Sequence, residues 1–140
     1  MGRSWKSTAG AGGLNGYEVL ATPAVSQGRL FAGCNDGRLH AFDVRTGRAL
    51  WKYQTNGPVQ SSPSVAGETV YFGSWDGHLY ALDVADGALR WKLDLGHMPQ
   101  TLDEQHKFGP NEGGRIISSP WPADGVIYVG CDNGNLYAVE

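Results

Sequence analysis

One segment of the chain gathers residues whose side chains could do chemistry. His97, Asp103, Glu104 and His106 all lie within residues 96–115. Imidazole and carboxylate groups are common zinc ligands and common general acids and bases. Their spacing here matches no established zinc motif. A solvent-exposed loop is therefore the favoured interpretation, contact with a partner or ligand is the second, and a metal site is the third.

No other group of residues has a pattern typical of catalysis. The sequence contains no recognisable Ser-His-Asp arrangement, phosphate-binding loop or paired carboxylates. The run Gly10-Ala-Gly12-Gly13 is not a dinucleotide fingerprint, because no strand and no βαβ unit frame it. We therefore expect no catalytic residue, no cofactor site and no metal site in this chain.

The amino-acid composition indicates the fold class and argues against some kinds of partner. Glycine accounts for 21 of 140 residues, about twice its usual share, which is typical of a turn-rich all-β chain. The net charge of −3 comes with no basic patch, which argues against nucleic acid as a partner. No apolar run approaches the roughly 20 residues of a membrane span. Arg3 and Lys6 precede no apolar stretch, so we expect neither a signal peptide in this chain nor insertion into a membrane.

An internal repeat predicts the elements that position these residues. The stretch Ala41–Trp51 returns as Ala81–Trp91, and a third copy begins at Ala138. Each full repeat reads as four short strands, A to D, with a Pro on strand A, an Asp-Gly or Asn-Gly turn between B and C, and a Trp-Lys pair on D. Four-stranded units that recur at about 40 residues predict the blades of a β-propeller.

The repeated stretch has a physical role at each fixed position. A small Ala on strand C lets a neighbouring group approach, and the Asp after it can accept hydrogen bonds from the next turn. The Gly can adopt a positive φ there, and the Trp on strand D fills the gap between two blades. These structural positions are Ala41, Asp43, Gly47 and Trp51 in the first copy, and Ala81, Asp83, Gly87 and Trp91 in the second.

Cysteine and histidine residues are interpreted from their positions in the repeat. Cys34 and Cys131 are equivalent positions a whole repeat or more apart, which is too far for a disulfide that needs Cα atoms within about 7 Å. We expect both to be free thiols. His40 aligns with Tyr80 and Tyr137, so it is expected to fill a position of the repeat.

Trp75 departs from the repeat, since Asn35 and Asp132 occupy the same position in the other copies. It lies in a B–C turn, and an exposed aromatic side chain on a loop indicates binding. The simpler interpretation is a turn residue without a binding role. In propellers the B–C turns and the D–A connections share one face. Trp75 and the segment 96–115 are therefore expected to lie on the same side, as a candidate binding face.

The repeat resembles a known family. The pattern Ala-x-Asp-x-x-Thr-Gly-x-x-x-Trp, with Ser-Ser-Pro and Gly-Ser-x-Asp-Gly-x-Leu-Tyr in the second copy, is similar to the tryptophan-docking repeat of the PQQ-like, or quinoprotein-type, β-propellers. This resemblance implies an all-β fold, a partial propeller of about three four-stranded antiparallel blades. The family includes PQQ-dependent alcohol dehydrogenases and the periplasmic lipoprotein of the outer-membrane β-barrel assembly machinery.

The resemblance also indicates which functions to expect. In the dehydrogenases of this family, PQQ is held by a vicinal disulfide, a stacking Trp and charged ligands to calcium, and this chain has no adjacent cysteines. We expect a non-catalytic scaffold or protein-binding module in the periplasm or another extracytoplasmic compartment. The alternatives are a fragment of a quinoprotein dehydrogenase and a ligand-sensing propeller fused to another domain.

The repeat boundaries predict how the chain is divided. Three blades are fewer than the four to eight of most propellers, so we expect either further blades, or a homo-oligomer in which copies complete one another. The predicted parts are a strand D of a preceding blade with a Gly-rich loop at 1–21, blades at 22–60 and 61–95, an inserted loop at 96–117, and a blade lacking its own strand D at 118–140.

Overall fold

The computed structural model describes residues 4–7, 18–96 and 114–140, and these ranges contain eleven short strands and no helix. The strands are β1 (Ala24–Ser26), β2 (Arg29–Gly33), β3 (Arg38–Asp43), β4 (Ala49–Gln54), β5 (Ser64–Ala66), β6 (Thr69–Gly73), β7 (His78–Asp83), β8 (Leu89–Asp94), β9 (Trp121–Ala123), β10 (Val126–Gly130) and β11 (Leu136–Val139). The described part of the chain includes no helix long and apolar enough to cross a membrane.

The strands form three separate antiparallel sheets. The first contains β1–β4, the second β5–β8 and the third β9–β11, and in each sheet every strand pairs with its neighbour in sequence. We call these sheets blade 1, blade 2 and blade 3. This arrangement confirms the predicted fold class, an all-β partial propeller with three blades.

The turn between strands C and D is organised by the Asp that recurs in both copies of the repeat. Asp43 Oδ1 accepts hydrogen bonds from the backbone N–H groups of Arg45 and Thr46, both at 2.9 Å. In blade 2 the equivalent Asp83 accepts from the backbone of Ala85 at 2.8 Å and from the Arg90 guanidinium at 2.8 Å. These bonds fix the turn that leads each chain segment into its strand D.

The Asp83 turn predicts a pH dependence of stability. The Arg90 guanidinium and the backbone N–H of Ala85 hold the pKa of Asp83 below its ordinary value of 3.8. A lowered pKa in the folded state stabilises the fold above pH 4, and this stabilisation is lost as the pH falls through the folded-state pKa. We therefore expect Asp83→Asn to be less stable than the parent chain at pH 7, with a smaller difference at pH 3.

Urea unfolding at pH 7 and pH 3 measures this change in stability. The matched control is Asp124→Asn, which alters an exposed turn residue of blade 3. It should change the free energy of unfolding equally little at both pH values. If Asp83→Asn lowered the free energy of unfolding equally at pH 7 and pH 3, the proposed lowering of the Asp83 pKa in the folded state would be wrong.

Tryptophan side chains connect each blade to the next. The Trp51 indole donates from Nε1 to the Val84 carbonyl oxygen at 3.2 Å, and its ring centroid lies 5.7 Å from that of Phe31. The ring lies directly over Gly87, where a Cβ would be only 2.5 Å from Trp51 Cε3. Gly87 has a φ of +73°, so glycine is suited to this position both in space and in backbone conformation.

The N-terminal tryptophan makes the same kind of contact with blade 1. Trp5 Nε1 donates to the Val44 carbonyl oxygen at 2.9 Å, and the ring lies over Gly47. Residues 4–7 nevertheless form no strand. The position of the indole therefore follows from its contact with the turn of blade 1, without a strand ladder to hold it.

The apolar core lies between the blades. One cluster joins blades 1 and 2, and the other joins blades 2 and 3, so neighbouring sheets bury their facing sides against each other. The first cluster consists of Phe31, Leu39, Ala41, Val59, Val70, Phe72, Tyr80, Leu82 and Val84. The second consists of Leu79, Leu95, Ile116, Ile127, Val129 and Cys131, with Trp91 and Tyr71 against its edge.

Candidate functional site

The candidate binding face forms where the B–C turn of blade 2 meets the two described ends of the inserted segment. The N–H of Gly96 donates to the Gly77 carbonyl oxygen at 3.0 Å, and the N–H of Ile116 donates to the Ser74 carbonyl oxygen at 3.0 Å. Trp75 lies between Ser74 and Gly77 in this turn. The described ends of the insertion and Trp75 therefore occupy one face of the protein.

Arg115 links equivalent turn positions of two blades. Its guanidinium carbon lies 4.6 Å from the centroid of the Trp75 ring, which is a cation–π contact. Its Nε donates to Asp132 Oδ2 at 2.6 Å. Because Trp75 and Asp132 occupy the same position in the B–C turns of blades 2 and 3, Arg115 joins the two turns and fixes the indole between them.

Trp75 is half-buried, although its position in a B–C turn indicated an exposed side chain. Arg115 lies over its ring, and the backbone at Gly57 comes so close that a Cβ there would be 3.1 Å from the Trp75 Cβ. The indole Nε1 is buried, and none of the residues in the described ranges accepts its hydrogen bond. A buried N–H without a partner is uncommon, so this position calls for an acceptor that the described residues do not supply.

The other candidates of this face cannot be placed in the same way. His97, Asp103, Glu104 and His106 lie outside the residues that the structure describes. The candidate binding face is therefore defined here by Trp75, Arg115 and Asp132.

A second group of polar side chains lies in the B–C turn of blade 1 and on β3, the strand that follows it. His40 Nε2 is 2.9 Å from Asp36 Oδ2, and the Cys34 thiol completes a trio whose ligand atoms all lie within 4.8 Å of one another. Cys34 and Cys131 are both free and buried. Burial raises the pKa of the Cys34 thiol above its ordinary value.

Sequence reasoning missed this trio. It placed His40 as a residue that fills the repeat and Cys34 as a free thiol, and it treated the two positions separately. The signal that could have found the trio is a double departure from blade 2, where Ser74 and Tyr80 occupy the equivalent positions. Both departures introduce a side chain that can bind a metal, next to a carboxylate that blades 1 and 2 share.

Comparison with known proteins identifies the family. The family model described as outer membrane protein assembly factor BamB, a PQQ-like repeat family, matches residues 2–140. Among curated proteins, the 1-butanol dehydrogenase (quinone) of Thauera butanivorans is 44% identical over 43 residues, which cover 31% of this chain and 7% of that protein.

Solved structures show the same architecture. BamB from Moraxella catarrhalis matches with a TM-score of 0.67 and 24% identity, over 85% of this chain and 32% of that one. A quinohemoprotein alcohol dehydrogenase from Pseudomonas putida matches with a TM-score of 0.68 and 25% identity, over 86% of this chain and 19% of that one. A quinohemoprotein alcohol dehydrogenase from Comamonas testosteroni matches with a TM-score of 0.63 and 26% identity, over 81% and 17%.

The chain thus spans about a third or less of the length of these relatives. They include both an assembly factor and alcohol dehydrogenases, so the shared fold does not separate a catalytic from a non-catalytic role. The three antiparallel blades, the tryptophan contacts between them and the match over residues 2–140 agree with one another. This chain belongs to the PQQ-like β-propeller family represented by the outer membrane protein assembly factor BamB.

Proposed function

We propose that this chain is a non-catalytic propeller module that binds a protein partner through the face around Trp75. The observation that carries this proposal is the contact of Arg115 with both Trp75 and Asp132 across two blades. Tryptophan and arginine are the side chains most enriched at the energetic centres of protein interfaces. Here both are held in place before any partner arrives, which lowers the entropy cost of binding.

The segment that follows Gly96 supports the same proposal, because its described ends lie beside Trp75. We further propose that His97, Asp103, Glu104 and His106, which follow Gly96 in sequence, add polar contacts at the rim of this face. The name of the matched family, an outer membrane protein assembly factor, supports a protein partner and an extracytoplasmic location.

The division of the chain is part of this proposal. Blades at 22–60, 61–95 and 118–140 present their B–C turns to one face, and the insertion at 96–117 is added to that face. Residues 1–21 supply the indole of a preceding blade. Further blades, or other copies of this chain, would extend the same surface and allow one partner to contact several turns.

A second candidate function is a part of a quinoprotein dehydrogenase. It is favoured by the 44% identity to the 1-butanol dehydrogenase (quinone) of Thauera butanivorans and by the quinohemoprotein structures that share the fold. The two cysteines of this chain, Cys34 and Cys131, are not adjacent and cannot form a vicinal disulfide. On this second proposal, the groups that hold PQQ would come from elsewhere in a longer protein.

A site-directed crosslinking experiment tests the binding face. A photoreactive aromatic residue at position 75 should give a discrete adduct with a second protein in the source organism. The same residue at position 50, an exposed site on strand D of blade 1, should not. Equal adducts at both positions would refute the proposed face.

Trp75→Asn then measures the contribution of the indole. This variant restores the residue type of blade 1, Asn35, and should keep the turn intact. We expect the crosslinked partner, once purified, to bind about 30-fold more weakly, as for loss of an interface residue worth about 2 kcal/mol. Unchanged affinity would contradict the proposal. Binding of PQQ with Ca²⁺ by a longer protein that contains this chain, but not by this chain alone, would favour the second candidate.

A further inference from the structure

We propose that Cys34, Asp36 and His40 of blade 1 form a binding site for one zinc ion. A thiolate, a carboxylate and an imidazole are the three ligand types that proteins use for zinc, and three protein ligands leave a fourth position for water. The three ligand atoms lie within 4.8 Å of one another. This function is independent of the partner-binding face, which lies on other residues.

The carboxylate of Asp36 is oriented for this purpose. The backbone N–H of Arg38 donates to Oδ1 at 2.9 Å, so Oδ2 is directed to His40 Nε2, also at 2.9 Å. In a tetrahedral zinc site with bonds of about 2.0–2.1 Å, neighbouring ligand atoms lie roughly 3.3 Å apart. A movement of a few tenths of an ångström would therefore let the ion replace the proton between these two atoms.

The trio is buried, yet it has a route to solvent. Cys34 is fully buried, and the Asp36 and His40 side chains are only 2% and 10% exposed. A surface depression of about 300 Å³ between the B–C turn and the segment after strand D reaches Asp36. Its lining includes Asp36 on the side of the turn and Asn56 on the side of the segment after strand D.

The positive charge of the Arg38 guanidinium opposes binding of a zinc ion at Asp36. Arg38 Nη1 lies 3.3 Å from Asp36 Oδ2, and the side chain of Arg38 is 28% exposed. Because it reaches solvent, the guanidinium can turn away when an ion binds to the carboxylate. The backbone bond from Arg38 to Oδ1 does not depend on that side chain, so the orientation of the carboxylate is kept.

Blade 2 shows what the same turn looks like without metal ligands. Tyr80 donates from its hydroxyl to Asp76 Oδ2 at 2.5 Å, and Ser74 occupies the position of the thiol. The hydrogen bond to the turn carboxylate is therefore a structural feature that a tyrosine satisfies. In blade 1 the histidine keeps that bond, and together with the cysteine it adds two ligand atoms that the turn does not need.

Blade 3 supplies the opposite case. Cys131 occupies the thiol position, but Asn133 replaces the carboxylate and donates to the Tyr137 hydroxyl at 3.0 Å. The carboxylate of this turn, Asp132, is paired with Arg115, and the turn contains no imidazole. Cys131 is thus a natural internal control for Cys34.

Metal titration of the whole chain tests the proposal. Zinc binding is followed by calorimetry, and cobalt(II) is the spectroscopic probe, because a thiolate bound to it gives a charge-transfer band in the near ultraviolet. We expect one tight zinc ion per chain and a cobalt band. Cys34→Ser and His40→Tyr, which install the residues of blade 2, should each weaken zinc binding at least tenfold, and Cys34→Ser should abolish the band.

Cys131→Ser is the control and should leave the zinc affinity and the cobalt band unchanged. The folded state of each variant is checked by its unfolding curve. The proposal is overturned by absent zinc binding at micromolar concentrations, by zinc affinities of Cys34→Ser and His40→Tyr equal to that of the parent chain, or by a cobalt band that depends on Cys131 instead.

Discussion

Trp51→Ala is expected to lower the free energy of unfolding by about 3 kcal/mol, the low end of the range for large aromatic core side chains, because the indole is half-buried. The ring of Trp51 contacts Phe31 within its own blade and lies over Gly87 of the next one. Its Nε1 also donates to the Val84 carbonyl oxygen at 3.2 Å. The substitution therefore leaves a gap between blades 1 and 2 and a carbonyl without its donor.

Equilibrium urea unfolding measures this loss, and Trp121→Ala is the matched control. Trp121 is 70% exposed on strand A of blade 3, so its removal should change the free energy of unfolding by about 0.5 kcal/mol or less, as for ordinary surface residues. A loss below about 1 kcal/mol for Trp51→Ala would place it in the same class. The indole would then not be an energetic link between blades.

Gly87→Ala is expected to cost about 3 kcal/mol, from two separate causes. Its φ of +73° is a left-handed conformation, which costs a residue with a Cβ about 1–2 kcal/mol. The added Cβ would also lie 2.5 Å from Trp51 Cε3, and overpacking of this kind costs about 1–3 kcal/mol. The ring of Trp51 would have to leave its position over the turn.

Gly67→Ala separates the two causes. Gly67 has a φ of +59°, but a Cβ there would meet no atom within 4 Å, so only the cost of the backbone conformation, about 1–2 kcal/mol, is expected. The additional loss in Gly87→Ala should disappear when Trp51 is already alanine, which a double-mutant cycle measures. Equal losses for Gly87→Ala and Gly67→Ala would show that the ring does not press on the turn.

The regular part of the fold could be predicted from the sequence because each element is repeated. The run Val70–Gly73 predicted a strand B, and the structure has β6 at Thr69–Gly73. The Asp-Gly turn after it fixes both the end of that strand and the start of the next. Local turn chemistry and alternation of apolar residues determine these features, and both are visible in a short window of sequence.

The candidate sites depend on contacts between residues far apart in the chain, so they could be predicted only in part. Trp75 was identified by its departure from the repeat, but its half-buried state results from Arg115, 40 positions later. The Cys34 trio lies in one turn and the strand that follows it. The repeat, however, led to a comparison of single positions and not of neighbouring residues. Residues that differ together from the other repeats, such as Cys34 and His40, indicate a shared site. A comparison of the repeats one position at a time does not show this.

The docking of each indole on the following blade has a consequence for synthesis on the ribosome. Trp51 precedes its acceptor turn at Gly87 by 36 positions. At elongation rates of about 5–20 residues per second, the indole waits roughly 2–7 s before its acceptor turn is synthesised. Each new blade would thus complete the packing of the blade before it. Until the next turn emerges, the indole at the growing end would stay exposed and could be bound by chaperones.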